Sequence, residues 1–267
     1  MLVLILPFAK SVNLLIEPPA TVKNNKLYVD GGTQTFVSLQ NGNQTGNITV
    51  GYNSVLIEAD LSKSWDWKTN ISETYVNKTG IANVESTPVL SRGALYSGMA
   101  NDTNIYLYGG TTSYINTSDP AWEPPTSSRY SLFSYDTASG SVAEFNISGA
   151  SPYRPSSGAY ATALDQGLAF YLGGEVDSGS STETQVLGDT NKYFLDGMIV
   201  IDTNARTASN LSTTTVADGV PRTYGSLQYI PGVGQNGVLV HLGGSDKNGN
   251  LVSRLDVVGS RGLTNFS

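Results

Sequence analysis

The stretch NIYLYGG (104–110) decides the fold: aliphatic residues at 105 and 107 alternate with tyrosines at 106 and 108, and the run stops at two adjacent glycines. Alternation with period two is the mark of a strand, whose successive side chains face opposite ways. With apolar groups on both sides, the strand must be covered on both faces. The glycines end it where the chain turns sharply or passes close to another backbone. KLYVDGG (26–32), AFYLGG (169–174) and VLVHLGG (238–244) repeat the statement, placing doublets at Gly31–Gly32, Gly109–Gly110, Gly173–Gly174 and Gly243–Gly244.

The intervals between doublets are 64 to 78 residues, and other features recur around them. Before three of the doublets an arginine stands just after or near a proline: Arg92 in PVLSRGALY, Arg154 in PYRPSSGAY and Arg222 in PRTYGSLQY. After three of them an alternating run ends in aspartate, at Asp60, Asp136 and Asp202; SRLD, ending at Asp256, reads as a shortened fourth version. An aspartate there can accept bonds from the backbone of the following turn. Each unit is therefore expected to hold four antiparallel strands. In the second these are 93–99, 104–109, 130–136 and 141–147. The units run approximately over 21–85, 86–150, 151–217 and 218–267. No stretch holds a 3.6-residue period, so the chain is expected to be all-β. One such unit cannot bury both its faces alone; radial repetition about an axis buries them, which is a β-propeller.

The doublets, the aromatic strand before each and the Asp-ending strand after it resemble kelch repeats, from about Lys26 to near the C-terminus. The long units and polar, acidic composition are similar to those of secreted or surface kelch propellers of filamentous fungi. That resemblance implies six or seven blades in a whole ring, so four units imply an incomplete ring, with a closed four-bladed ring as the rival. It also implies a tryptophan in many fourth strands. Trp65 or Trp67 can serve in the first unit and Phe145 in the second, while the third offers only Leu211 or Val216.

The same fold group includes copper radical oxidases related to galactose oxidase, which need a cysteine, two tyrosines and two histidines. This chain has no cysteine and one histidine, His241, so that copper site cannot be assembled from it. No metal set and no cofactor are expected. His241, in the second strand of the last unit, reads as a histidine wedged between blades. Asp30, Glu175, Asp177 and Asp246 stand beside the doublets, where turn-forming roles are expected ahead of carboxylate catalysis. The three arginines are read as sharing one phase at one end of the first strands. There they either tie loops between blades or gather at a channel mouth to bind a carboxylate or sugar. Aromatics in the inserted loops, Tyr114, Trp122, Tyr130, Trp65 and Trp67, are the candidates for recognition.

Fifteen Lys and Arg against 22 Asp and Glu give a net charge of -7, which does not attract a phosphate backbone, so no nucleic-acid partner is expected. Charged residues make up 14% of the chain, below the usual quarter, and Gly, Ser, Thr and Asn fill the surface instead. Glycosylation sequons stand at Asn43, Asn47, Asn70, Asn77, Asn101, Asn116, Asn146 and Asn210. A secreted or cell-surface setting is expected, with any membrane anchor of a parent protein lying outside this chain. No run of about 20 apolar residues is present. Residues 1–20 read either as a partial signal segment or as a first strand. The function expected is a non-catalytic scaffold that binds a protein or a glycan. The alternative is a carbohydrate-active enzyme, a hydrolase or divergent oxidase, with carboxylates on one rim.

Overall fold

The structure, a computed structural model, describes residues 3–8, 11–16, 18–36, 39–40, 43–44, 49–64, 72–77, 88–113, 131–149, 154–188, 191–213 and 220–258. The fold is all-β, with one short 3-10 turn among the described residues, at Thr182–Leu187. Four antiparallel sheets stand as blades in a propeller arrangement whose ring is not closed.

Blade one comprises Ala20–Lys23, Lys26–Val29, Val55–Asp60 and Glu73–Asn77. Its first turn is made by Asn24 and Asn25, both at positive φ (51° and 58°), the geometry that matches strand twist in a two-residue hairpin. Blade two comprises Ala94–Ser97, Asn104–Tyr108, Ser131–Asp136 and Val142–Asn146, within one or two residues of the sequence expectation. Blade three comprises Ala159–Ala163, Leu168–Leu172, Gly197–Asp202 and Thr207–Ser212, with Ser148–Gly149 added in parallel at its outer edge. Blade four comprises Ser226–Ile230, Val238–Leu242 and Leu255–Val258, three strands among the described residues where four are expected. Beside the blades, Val3–Phe8, Ser11–Ile16, Thr33–Phe36 and Thr49–Tyr52 pair into one further sheet. The N-terminal hairpin thus joins strands from the insertion inside the first unit.

The period-two pattern sets the seams. Between blades one and two, Tyr28 and Leu56 meet Leu95, Ile105, Leu107 and Phe133. Between blades two and three, Tyr96, Tyr108 and Leu132 meet Ala169, Tyr171, Ile199 and Ile201. The rings of Tyr108 and Tyr171 meet edge to face at 5.7 Å. Between blades three and four, Phe170, Met198 and Val200 meet Leu227, Tyr229 and Leu239. No apolar cluster joins blade four to blade one among the described residues.

Each doublet follows the second strand of its blade at positive φ. In the first three it touches the lead-in segment of the next blade. A Cβ on Gly31, Gly109 or Gly173 would fall 2.0, 2.2 or 2.3 Å from the carbonyl oxygen of Leu90, Pro155 or Arg222, which excludes any side chain. The same carbonyls accept hydrogen bonds from the second glycines, Gly32, Gly110 and Gly174, at 2.9, 2.9 and 2.7 Å. The doublet is a turn and an inter-blade clasp at once.

Candidate functional site: the axial mouth

The lead-in segments of all four blades converge near the axis. Arg92–Gly93, Ser157–Gly158 and Tyr224–Gly225 occupy the same place in blades two, three and four, and Arg92, Ser157 and Tyr224 all have φ near +60°. The Ser157 N–H donates to the Arg92 carbonyl at 3.0 Å, and the Tyr224 N–H donates to the Ser157 carbonyl at 2.5 Å. A belt of backbone bonds therefore passes from blade to blade around the mouth. Blade one enters instead with Pro18–Pro19. The Tyr160 hydroxyl accepts from the Ala20 N–H at 3.0 Å, tying blade three to blade one across the axis.

A cavity of about 540 Å³ opens within this belt, lined by Pro18, Pro19, Arg92, Gly93, Ser157, Gly158, Tyr160, Tyr224, Gly225, Gly244, Ser245 and Leu251. Its one cationic side chain among the described residues is Arg92. The guanidinium lies 5.5 Å from the centre of the Tyr224 ring and 3.6 Å from a Glu175 oxygen. Glu175 is buried and also meets Lys192 Nζ at 2.8 Å. Arg92 and Lys192 thus share one buried carboxylate, and the partly exposed ring of Tyr224 lies beside Arg92. The mouth offers small backbone-lined walls, a cation and two tyrosines, a set suited to hold a polar group by hydrogen bonding and stacking.

The three arginines of the sequence reading do not share a phase. Arg92 takes the left-handed position and reaches the mouth. Arg222 stands two residues earlier in its unit and Arg154 three, and both are buried. Arg154 lies 5.5 Å from the centre of the Phe133 ring, and burial pushes its guanidinium down to about 10. Arg222 Nη1 donates to Asp256 at 2.6 Å, inside blade four. The lead-in segments have similar letters but different spacings from proline to glycine, which moves the arginine from mouth to interior.

The aspartates also divide. Asp60, Asp136 and Asp202 end third strands and accept from the backbone of the next turn: Ser62 at 2.9 Å, Ala138 and Ser139 at 2.8 and 3.0 Å, Asn204 and Ala205 both at 2.8 Å. Asp256 does not belong with them. It pairs across the sheet with His241, whereas Asp202 pairs with Leu168 at the start of its second strand. Three residues out of phase, Asp256 is buried and binds Arg222 and Arg254 rather than a turn. His241 lies beside it, buried near the seam of blades three and four. Burial lowers its imidazole below the ordinary value, Arg222 lowers it further, and the Tyr224 backbone and Asp256 act the other way.

Of the carboxylates beside the doublets, Glu175, Asp177 and Asp246 are engaged. Asp177 accepts from Thr111 Oγ1 at 2.5 Å, Ser113 Oγ at 2.8 Å and the Gly179 N–H at 2.9 Å, so it joins blade three to blade two. Asp246 holds the GSDKNGN hairpin through the N–H groups of Asn248 and Asn250. Among the described residues no three His, Cys, Asp or Glu side chains come together as a metal site.

The loop aromatics Trp65, Trp67, Tyr114, Trp122 and Tyr130 lie outside the described residues, as do Asn47, Asn70 and Asn116. For Asn43, Asn77 and Asn146 the backbone is described, each in a strand, and Asn101 and Asn210 are exposed. Phe145 in the fourth strand of blade two lies under the Arg206 guanidinium, 3.8 Å from its ring centre, and Leu211 packs at the edge of the seam between blades three and four. Tyr160, Ser157 and Tyr224 were missed as mouth residues. Their signal is the glycine shared by RGALY, SGAYA and YGSLQ, which sets the phase better than the arginines do.

No family model matches the chain. No helix is long and apolar enough to cross a membrane among the described residues. The solved structure of YjhT is matched over 95% of this chain and 93% of that chain, at 10% identity and a TM-score of 0.49. A kelch repeat-containing protein of Arthroderma benhamiae is 27% identical over 271 aligned positions, which take in 90% of this chain and 38% of that protein. The chain thus spans well under half the length of this relative, and over nine-tenths of its own length it is similar to a kelch repeat-containing protein.

Proposed function

We propose that the chain is a kelch-type, non-catalytic binding scaffold of the secreted or cell-surface kind, which takes part of a protein or glycan ligand at its axial mouth. One observation carries this reading. The left-handed lead-in residues Arg92, Ser157 and Tyr224 are strapped together by backbone bonds around an open cavity of about 540 Å³. Such a belt holds the cavity wall in one shape, and a preorganised concave site loses little entropy on binding. The engagement of Glu175, Asp177 and Asp246 in structural bonds supports binding over carboxylate catalysis. The run of sequons supports the surface setting.

The test is retention on a glycan array and on a panel of purified secreted proteins, by the wild type and by Tyr224→Asn. Asparagine tolerates the left-handed backbone but removes the ring. The reading expects a ligand whose retention falls at least tenfold in the variant while thermal unfolding stays close to wild type. Turnover of any sugar substrate by the purified chain would overturn it.

A further inference from the structure

Blades three and four present register-equivalent faces with opposite fates. In blade three the face toward blade four carries Leu172, Met198 and Val200, which are 8, 1 and 1% exposed. Counting outward from each doublet through the strand pairing, the same positions in blade four are Leu242, Leu255 and Val257, which are 49, 58 and 55% exposed. Ser226, Gln228, Ile230, Val238 and Val240 are the other described positions of that face, and none of these described positions is charged. Repeat units that face water carry a polar outer face. The described face of blade four is mostly apolar.

The backbone repeats the contrast. Gly243 and Gly244 have φ of 69° and 90°, matching 62° and 92° at Gly173 and Gly174. Yet a Cβ on Gly243 would meet nothing closer than the Val252 carbonyl at 3.7 Å, where Gly173 meets the next blade at 2.3 Å. The Gly244 N–H has no acceptor among the described residues, while Gly32, Gly110 and Gly174 each bond the carbonyl of a following lead-in segment. The clasp is formed and nothing among the described residues is in it.

We propose that this face of blade four is a docking surface for one more sheet of the same repeat, which enters through a left-handed residue followed by glycine and gives a backbone carbonyl to Gly244. The three seams inside the molecule state what fits: each such face is covered by a sheet entering in that way. A second copy of this chain does not supply it. Its three lead-in steps of this kind are enclosed in its own seams, and its blade-one lead-in, Pro18–Pro19, cannot adopt positive φ.

Two extended chains test the proposal, one carrying a duplicate of residues 218–258 after Ser267, the other a duplicate of residues 151–213. In at least one of them the Gly244 amide exchanges with solvent about 100-fold more slowly than in the unextended chain, because it must open to exchange. Leu255→Glu, which leaves the unextended chain folded, abolishes that protection. The proposal is overturned if Gly244 exchange is unchanged in both extended chains. It is also overturned if the unextended chain forms a dimer that buries Leu255 and Val257, since a second copy is then the occupant.

Discussion

Blades three and four have nearly the same pattern and do different things with it. Asp202 ends the run GMIVID and Asp256 the shortened SRLD, yet one caps an exposed turn and the other is locked in a buried ion pair. Gly173 and Gly243 have nearly the same φ, yet one is jammed against a carbonyl and the other meets its nearest carbonyl only at ordinary contact distance. A motif sets the backbone; the neighbour sets the role and the energy.

Four substitutions or conditions sharpen this comparison. The largest loss is expected from Asp256→Ala, which leaves Arg222 buried without its carboxylate. Breaking a buried pair from one side costs about 3–5 kcal/mol. Urea unfolding should show that loss and a far smaller one for Asp202→Ala; equal losses would contradict the division of the aspartates. Next, Gly173→Ala and Gly243→Ala share the cost of a left-handed alanine, about 1–2 kcal/mol. Only Gly173→Ala adds a collision 2.3 Å from the Arg222 oxygen, so its melting temperature should fall clearly further.

The third is a pH effect. The folded His241 imidazole titrates below its ordinary 6.5 because it is buried. Below pH 6.5 the unfolded chain takes up a proton that the folded chain does not, so this contribution to stability is present above that value and is lost as pH falls toward the folded pKa. The melting temperature of the wild type should therefore drop more between pH 7.5 and 5 than that of His241→Gln. Identical slopes would show that His241 is not held neutral. The smallest effect on stability belongs to Tyr224→Asn. It removes a partly exposed ring over Arg92, a contact worth about 0.5–1 kcal/mol, and should register in ligand retention rather than in unfolding.

Much of the fold was legible because it rests on local rules. In NIYLYGG the alternation assigns Ile105 and Leu107 to one seam and Tyr106 and Tyr108 to the next, and both seams are found. The site was less legible. Arg92, Arg154 and Arg222 look alike near their prolines, but two or three residues of spacing separate a mouth position from a buried one. Tyr160 and Tyr224 are ordinary strand and turn residues until four lead-in segments converge on them. In blade one, Asp30 stands between the second strand and Gly31, and Pro18–Pro19 replaces the left-handed step, so no glycine phase announces that its lead-in reaches the mouth.

The amino-acid order by itself determined where strands run and where they stop, since period-two side chains and paired glycines act through backbone geometry within a few residues. Only the tertiary structure decided which faces are covered, which arginine reaches the mouth and which aspartate is buried. Burial and ion pairing depend on groups brought from 30 to 140 residues away, and no spacing along the chain encodes that distance.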